Sequence, residues 1–400
     1  MAKVIPIKCN HYMQIKFKSM GVPILLVSDN PALQGGLSRM CRDLASLCST
    51  MPQFRVGVLG RGLGQRSKFP WITYDFPESG NWGEDIIEPV WNDFAGEDSG
   101  VIITLDDLSR RHWFTNPVGM SPQLQRFLGD GRNFKKWAYL PLDSTGPKGF
   151  TLSAAATDCA LRYDRVLAAS EWGYNLLRAS GRHDADWLPH GIWVDKFNPW
   201  PHLSDPNVYV GCVMANQSRK DFPAAFEAFA VLKEEYGNRL RIWLHTDVMI
   251  RYWNIYALAA DYGVSDCIEV TQDKDDKQLA LHYSACDCTI LPSAGEGFGF
   301  PTAESLACGT ACIVTDYAAG QEIVEEECRV TPLAYRIDTQ HNCRRAVLSG
   351  YAFAQKAKEQ IEKKRADWGY RSQELANSVS HLDWTKLGNL WRKWLLDGIK

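Results

Sequence analysis

Two glutamate residues with seven residues between them lie in a glycine-rich stretch that follows a predicted buried strand, Cys288 to Leu291. Carboxylates in such a stretch can accept hydrogen bonds from vicinal hydroxyl groups. The glycines leave the backbone amides unshielded, so that a ligand can approach the main chain closely. The stretch reads Gly295-Glu296-Gly297-Phe298-Gly299-Phe300-Pro301-Thr302-Ala303-Glu304.

The second half of this stretch is predicted to begin a helix. Pro301 suits the first helical position, and the residues from Thr302 to Cys308 would continue the helix. A helix start offers unpaired N–H groups and a partial positive charge, which together suit a diphosphate. Glu304 would lie in the first turn, facing the same ligand, and Glu296 would stand on the preceding loop. The pattern therefore predicts a ligand that carries both a diphosphate and hydroxyl groups.

Strand-like runs alternate with helix-like segments along the chain, which predicts an α/β protein with parallel sheets. The chain has 400 residues, too many for one compact core, so two domains are expected. Three prolines, Pro199, Pro201 and Pro206, indicate a linker between them. The predicted limits are an N-terminal domain at 1–192, a linker at 193–207, a C-terminal domain at 208–378, and a helical tail at 379–400 that docks on the N-terminal domain.

Both domains are predicted to be Rossmann-like and doubly wound. In open parallel sheets, ligands bind outside the carboxyl ends of the strands. Each domain would therefore present its strand-to-helix loops to a central cleft between the two.

Composition excludes several classes of protein. No run approaches the ~18 apolar residues needed to span a bilayer, and Met1 to Met20 lacks the apolar core of a secretory signal. The twelve cysteines form no paired C-x-x-C pattern, which argues against zinc and against a disulfide framework. Asp273-x-Asp275 could suggest a metal-binding D-x-D, but the neighbouring Lys274 and Lys277 favour a solvated loop. We expect a reduced, cytoplasmic protein with no metal and no cofactor.

The pattern E-G-F-G-x-P-x-x-E resembles that of the retaining GT-B glycosyltransferases, especially family 4. The likeness extends over roughly Val22 to Val324, and the elements follow in the same order. It implies a GT-B fold and the transfer of a sugar from a UDP- or GDP-sugar with retention of anomeric configuration. The other elements that carry it are Gly35-Gly36, the segment Asp164 to Trp172, Leu188-Pro189-His190-Gly191 with Phe197-x-Pro199, and Asn216-Gln217-Ser218-Arg219-Lys220.

The resemblance implies roles for individual residues. Glu304 would hold the nucleotide ribose, and Glu296 would contact sugar hydroxyls. Arg219 and Lys220 would neutralise the diphosphate leaving group, a task that any such reaction requires. Glu296, Lys220 and Arg219 are thus the predicted catalytic residues. The predicted donor-binding residues are Gly35, Gly36, Asn216, Phe298, Gly299, Phe300, Thr302 and Glu304.

Two departures from the family pattern concern the nucleotide. Many relatives carry an arginine five or six residues before the lysine, where this chain has Met214 and Ala215. Arg219 would take that duty with a different geometry. The segment after the predicted strand Leu240 to Leu244 reads His245-Thr246-Asp247 rather than an aromatic or glycine-rich loop, so recognition of the base is left open.

The acceptor hydroxyl is predicted to meet polar residues of the N-terminal domain. Asp107 follows the predicted strand Val101 to Leu105, and His112 follows soon after. Asp143 ends a Tyr139-x-Pro141-x-Asp143 pattern that loosely resembles some phage and archaeal relatives. His190 either takes part in catalysis or forms a hinge turn.

Two basic stretches, 55–68 and 110–136, lie in the predicted acceptor domain. The second interleaves cations with aromatic residues, which suits phosphate backbones and stacked bases and equally suits anionic lipid headgroups. Ordinary solvated loops, balanced by the acidic stretch Asp75 to Asp107, are the third interpretation. One hypothesis is transfer to a hydroxymethylated base of phage DNA, with a glycan or a lipid-linked acceptor as the alternative. A GT-B nucleotide-sugar epimerase and a non-catalytic binding module are competing functions.

Overall fold

A computed structural model describes residues 21–63, 69–77, 82–201, 205–248 and 252–399. Parallel strands alternate with helices, which confirms the predicted α/β class with two Rossmann-like, parallel-sheet domains. By their internal packing, the described residues form two compact units. The first comprises 21–106 and 110–138, and the second comprises 107–109 and 139–398. The domain limits at 192 and 208 stay a prediction.

The first unit is built from long buried strands and the helices that follow them. The central strands Val22–Asp29 and Gly100–Leu105 are nearly continuous hydrophobic runs, as expected for strands of a parallel sheet that helices cover on both faces. The strands are β1 Val22–Asp29, β2 Phe54–Arg61, β3 Ile72–Phe76, β4 Gly100–Leu105 and β5 Phe134–Leu140, and the helices are α1 Gly36–Ser49, α2 Ile87–Ala95, α3 His112–Thr115 and α4 Pro122–Leu128. Their strand order is β3-β2-β1-β4-β5, and the last two residues of β5 belong to the second unit.

The second unit carries the glutamate motif. Its helices are α5 Ala154–Leu161, α6 Glu171–Ala179, α7 Phe222–Tyr236, α8 Ile255–Asp261, α9 Asp276–Ala285, α10 Phe300–Ala307, α11 Gly350–Ala366, α12 Trp368–Ser378 and α13 Trp384–Ile399. Its strands are β6 Arg165–Ala168, β7 Asp186–Trp187, β8 Val208–Val213, β9 Leu240–His245, β10 Ile268–Thr271, β11 Cys288–Leu291, β12 Cys312–Thr315, β13 Arg329–Val330, β14 Ala334–Asp338 and β15 Cys343–Val347.

The six-stranded sheet of the second unit has the order β10-β9-β8-β11-β12-β13, with parallel pairing throughout. The chain winds outward from β8 in one direction and then returns to begin again at β11. Strands β8 and β11 therefore mark the topological switch point, and ligands of doubly wound sheets bind at the carboxyl ends of such strands.

Three local features differ from the sequence-based expectation. Helix α10 begins at Phe300, so that Pro301 occupies the second helical position and Gly299 caps the helix with a φ of 94°. Strands β14 and β15 form an antiparallel hairpin that the hydrophobic pattern did not predict. Its outer strand is exposed along almost its whole length, so that burial imposes no regular alternation on it.

Candidate functional site

Two loops meet at the switch point of the second unit. The loop after β8 carries Arg219 and Lys220, and the loop after β11 carries Glu296. Backbone hydrogen bonds hold the loops side by side, because Ala294 N–H donates to the Arg219 carbonyl at 2.8 Å and Asp221 N–H donates to the Pro292 carbonyl at 3.0 Å. The structure therefore brings together all three residues that the sequence predicted as catalytic.

These side chains belong to a compact network of charges. Lys220 Nζ forms an ion pair with Glu296 Oε1, and Arg219 Nη1 lies 3.9 Å from the same oxygen. Arg219 Nε donates to Asp143 Oδ2 at 3.1 Å. Arg345 Nη1 lies 2.9 Å from the other oxygen of Asp143. Arg345 Nε also lies 3.7 Å from Asp338 Oδ2, so that three cations face three carboxylates in this network.

The network fixes the protonation state of its carboxylates. Burial raises the pKa of Glu296, but Lys220 and Arg219 more than offset it, so that the pKa lies below its ordinary value. Burial likewise raises the pKa of Asp143, and Arg345 with Arg219 again brings it below the ordinary range. Burial lowers the pKa of Lys220, while Glu296 opposes that shift. Both acids are therefore ionised at neutral pH, and neither is suited to act as a general base.

One nitrogen of Arg219 lacks a hydrogen-bond partner in the described parts of the chain. This atom, Nη1, is inaccessible to solvent, although the Glu296 carboxylate lies near it. An unsatisfied buried donor costs roughly 1–3 kcal/mol. A phosphate oxygen that accepted this hydrogen bond would recover that cost.

The motif glycines do not all serve the ligand as expected. A Cβ on Gly295 would overlap the carbonyl oxygen of Asp143, and a Cβ on Gly297 would overlap that of Pro141. These two glycines let the motif loop pack against the main chain of residues 141–143, so the expectation that they open a path to a ligand is wrong. Gly299 differs, because its left-handed φ of 94° starts α10.

The second glutamate of the motif lies on α10. Glu304 is 3% exposed, and its Oε2 accepts a hydrogen bond from the Tyr283 hydroxyl at 3.0 Å. Thr302, two residues earlier, is fully buried and accepts a weak hydrogen bond from the Cys312 thiol at 3.8 Å. Tyr283 therefore sets the orientation of the Glu304 carboxylate. Sequence reasoning missed this tyrosine because it lies outside the motif, on α9.

Asn216 occupies the start of the basic loop. It is 2% exposed, and its side-chain amide donates to the Trp253 carbonyl at 2.9 Å and accepts from the Trp253 N–H at 3.1 Å. The same amide donates to the Asp247 carbonyl at 3.3 Å. These contacts order the segment after β9, which the sequence left open as a site for the base.

His190 lies in an aromatic cluster and is fully buried. Its ring contacts those of Phe298, Phe300 and Trp384 at centroid distances of 6.0, 5.2 and 4.9 Å. Its Nδ1 lies 3.3 Å from the Tyr139 hydroxyl. Phe298 and Phe300, both predicted donor residues, are thus held in place through His190. This arrangement favours a structural role for His190, in which it positions these rings, over a direct role in catalysis.

Of the remaining predicted residues, Gly35 and Gly36 follow β1 and His112 follows β4, all in the first unit, whereas Asp107 belongs to the second unit. Gly35 has a φ of 137° with open space around its Cα, and Gly36 is exposed as the first residue of α1. Asp107 is half-buried and His112 is exposed. Asp106 forms ion pairs with Arg110 and Arg111 at 3.1 and 2.7 Å.

The basic stretches differ from what nucleic-acid binding would require. Trp113, Phe114 and Phe134 are core residues, Phe127 is half-buried, and Arg111 and Lys136 are buried. Three of the four aromatic rings in 110–136 are therefore not available to stack on bases, and nucleic-acid binding by this stretch stays a prediction. Residues 64–68 of the first stretch lie outside the described residues.

Arg345 is the second functional residue that sequence reasoning missed. It stands on β15, far along the chain from every recognised motif. Its guanidinium nitrogen lies 3.0 Å from the position that a Gly295 Cβ would take. A pair of arginines at 344–345 offers no signal by itself, because only the hairpin brings one of them to Asp143.

The described residues hold no group of three or more histidine, cysteine or acidic side chains arranged to bind a metal ion. Asp275, from the D-x-D candidate, caps α9 in a capping box with Gln278. Eleven cysteines, covering every cysteine in the described ranges, are free thiols and buried. No helix among these residues is long and apolar enough to cross a membrane.

Part of the chain is similar to a known protein family. Residues 202–364 match the family model described as "Glycosyl transferases group 1". The chain is 27% identical over 209 residues to the serotype-specific mannosyltransferase WbdA of Escherichia coli, which covers 50% of this chain and 24% of that protein. It is 42% identical over 53 residues to a D-inositol 3-phosphate glycosyltransferase of Streptosporangium roseum, covering 13% and 12%. The chain thus spans about a quarter or less of the length of these curated relatives.

Solved structures share the fold over nearly the whole chain. Sucrose-phosphate synthase from Thermosynechococcus elongatus has a TM-score of 0.69 at 19% identity, covering 94% of this chain and 100% of that one. Anabaena HepE in complex with UDP-glucose has a TM-score of 0.67 at 14% identity, covering 94% and 99%. The chain therefore shares the α/β fold of two Rossmann-like domains with these solved structures, and its residues 202–364 are similar to the glycosyl transferase group 1 family.

Proposed function

We propose that this chain is a retaining glycosyltransferase that moves a sugar from a UDP- or GDP-sugar to a hydroxyl acceptor. The observation that carries the proposal is the meeting of Arg219 and Lys220 with Glu296 at the switch point, one loop away from the start of α10. Cationic side chains in a partly buried site can stabilise the charge that develops on a leaving diphosphate. The reaction then needs no metal ion and no cofactor.

The chemistry can proceed on one face of the sugar. The bond between the anomeric carbon and the β-phosphate oxygen breaks, and its electron pair leaves with the diphosphate. The acceptor hydroxyl oxygen forms the new bond to the same face, and its proton passes to a phosphate oxygen. Such a path needs neither a protein base nor a covalent nucleophile, which agrees with the low pKa of both Glu296 and Asp143.

The residues of the site divide into three tasks. Lys220 and Arg219 would bind the diphosphate, and Glu296 would release Lys220 as a phosphate oxygen takes its place. Glu304, oriented by Tyr283, would hold the ribose. Asp143, which the sequence placed beside the acceptor, is better suited to keep Arg219 in place, since both of its oxygens lie against arginines.

The buried cysteines support a cytoplasmic location. Eleven buried free thiols suit a reducing compartment, which supports a cytoplasmic enzyme.

Two substitutions test the proposed roles. Lys220→Ala should lower kcat by about two decades, because losing one charge-assisted donor to the transition state costs roughly 3 kcal/mol. Glu304→Ala should raise KM for the donor and change kcat less. Steady-state kinetics with the donor that the enzyme accepts separates the two effects. Lys358→Ala is the matched control, since it removes another lysine–glutamate ion pair, at 3.3 Å from Glu235 on the surface. An unchanged rate for Lys220→Ala would refute its assignment.

The proposed acceptor is a hydroxymethylated DNA base, which the exposed cations Arg126 and Lys135 could attract. A glycan or a lipid-linked acceptor is the alternative. Incubating the protein with nucleotide sugars and hydroxymethylpyrimidine duplex tests the DNA acceptor. Labelled glycan or lipid beside unlabelled DNA under every donor would refute it and leave glycosyl transfer intact.

A further inference from the structure

An apolar surface lies on the hairpin of β14 and β15. Alternate residues of a strand share one face, so Tyr335 and Ile337 share one face of β14, and Leu333 directly precedes the strand. Leu333, Tyr335 and Ile337 are 69, 42 and 45% exposed. Phe150, on the loop after β5, is 66% exposed. Large apolar side chains exposed together mark interaction sites, whereas single ones need no explanation.

Cations lie among these apolar side chains. Arg344, paired with Ile337 across the hairpin, places its guanidinium 4.3 Å from the centre of the Tyr335 ring. Arg344 also packs against Gly149, next to Phe150. Lys148, two residues before Phe150, is exposed. Arg344 therefore joins the two parts of one surface, which we call the hairpin face: Lys148, Phe150, Leu333, Tyr335, Ile337 and Arg344.

The hairpin face is fixed to the loop that carries Asp143. Arg344 N–H donates to the Thr145 carbonyl at 2.8 Å, and the Tyr317 hydroxyl accepts from Thr145 N–H and donates to the Arg344 carbonyl, both at 3.0 Å. Asp143 lies two residues before Thr145. Hydrogen bonds thus connect the hairpin face to the segment that orients Arg219.

We propose that the hairpin face binds the surface of an anionic lipid bilayer. Aromatic and aliphatic side chains can enter the headgroup region, while flanking lysine and arginine side chains meet anionic headgroups. Pairing with a second copy of this chain through the same face would bring the lysine and arginine side chains of both copies into one interface. Nucleic acid would use aromatic rings, but Leu333 and Ile337 have no π face on which a base could stack.

Membrane binding can be measured without any catalysis. Its value to the enzyme rests on the proposed function. A bilayer held at this face would bring a lipid-linked acceptor to the segment that carries Asp143.

Sedimentation of the full chain with vesicles measures the binding. We expect it to sediment with vesicles of phosphatidylcholine mixed with phosphatidylglycerol, and much less with phosphatidylcholine alone. Each of K148Q and R344Q should weaken binding roughly fivefold, since a cation near an anionic surface is worth about 1 kcal/mol. The combined variant L333S/Y335S/I337S should abolish it.

The control is Y351S/Y370S, which removes two tyrosines that are equally exposed, at 57 and 67%, on α11 and α12. It should bind vesicles like the unchanged protein. Equal loss in this control, or no sedimentation of the unchanged protein with anionic vesicles, would overturn the proposal. So would a concentration-dependent dimer in the unchanged protein that disappears in the combined serine variant. Vesicle binding by a protein that hydrolyses no nucleotide sugar would overturn the proposed function alone.

Discussion

At the scale of single residues, the role of Asp143 in the structure differs from the role that the sequence predicted. The Tyr-x-Pro-x-Asp pattern placed it beside the acceptor, whereas its two oxygens are 3.1 and 2.9 Å from Arg219 and Arg345. A carboxylate shared by two guanidinium groups is ionised and fixed. Its natural task is to hold Arg219 in the orientation that a diphosphate needs.

Arg345 provides the test of that interpretation. Arg345→Met should leave Asp143 to pair with Arg219 alone, which draws that arginine away from the phosphates. We expect about tenfold weaker binding of a nucleoside diphosphate, within the range of ~0.5–3 kcal/mol for residues coupled in one network. Binding of the free nucleoside should not change, and Arg345→Lys should recover part of the loss. Isothermal titration calorimetry compares the two ligands. Equal weakening of both would show that Arg345 only supports the fold.

The sequence predicted the residues near the switch point well, because each follows a buried strand with a strong hydrophobic signal. Glu296, Arg219 and Lys220 meet as expected. Arg345 and Tyr283 could not be predicted in the same way, since they reach the site from a hairpin and from a neighbouring helix. Pairing across distant segments depends on tertiary packing and leaves no local pattern in the chain.

At the scale of elements, the motif loop depends on packing against residues 141–143. Gly297 has no space for a side chain there, because the obstacle is the Pro141 carbonyl oxygen, part of the rigid main chain. The hydrophobic pattern correctly indicated the strand before this loop and the helix after it. It could not indicate which backbone the glycines would face.

Gly297→Ala should therefore displace the loop. We expect a loss of about 1–3 kcal/mol in the free energy of unfolding, as in other overpacked sites, together with weaker donor binding. Gly369→Ala is the control, because its Cβ would meet only an Asp367 oxygen at 3.9 Å. Urea unfolding and donor titration measure the two effects. A fully stable Gly297→Ala variant that binds donor normally would contradict the packing account.

At the scale of the whole molecule, buried thiols predict how stability depends on pH. Burial raises the pKa of Cys48 and of Cys328 to about 12, from an ordinary value of 9.0. Between pH 9.0 and about 12, the folded protein therefore keeps these protons while the unfolded chain loses them. This contribution is complete below pH 9.0 and is lost as the pH rises from there toward the folded pKa.

In urea unfolding with a reductant present, the free energy of unfolding should fall as the pH rises above 9.0. Each such thiol contributes up to ~1.4 kcal/mol per pH unit. Cys48→Ala should make the decline shallower by about one such increment. The same slope in both proteins would contradict the assignment of this thiol.

The proposed function requires that the protein bind a nucleotide sugar and transfer the sugar with retention of anomeric configuration. The most direct measurement is proton NMR of slow donor hydrolysis, recorded over a panel of UDP- and GDP-sugars, because it needs no choice of acceptor. We predict that one donor releases its sugar first in the anomeric configuration that it had in the donor, and that Lys220→Ala abolishes this release. A sugar first released with the opposite configuration would contradict retention. An isomerised nucleotide sugar, or binding of a donor without any release, would indicate an epimerase or a binding module instead.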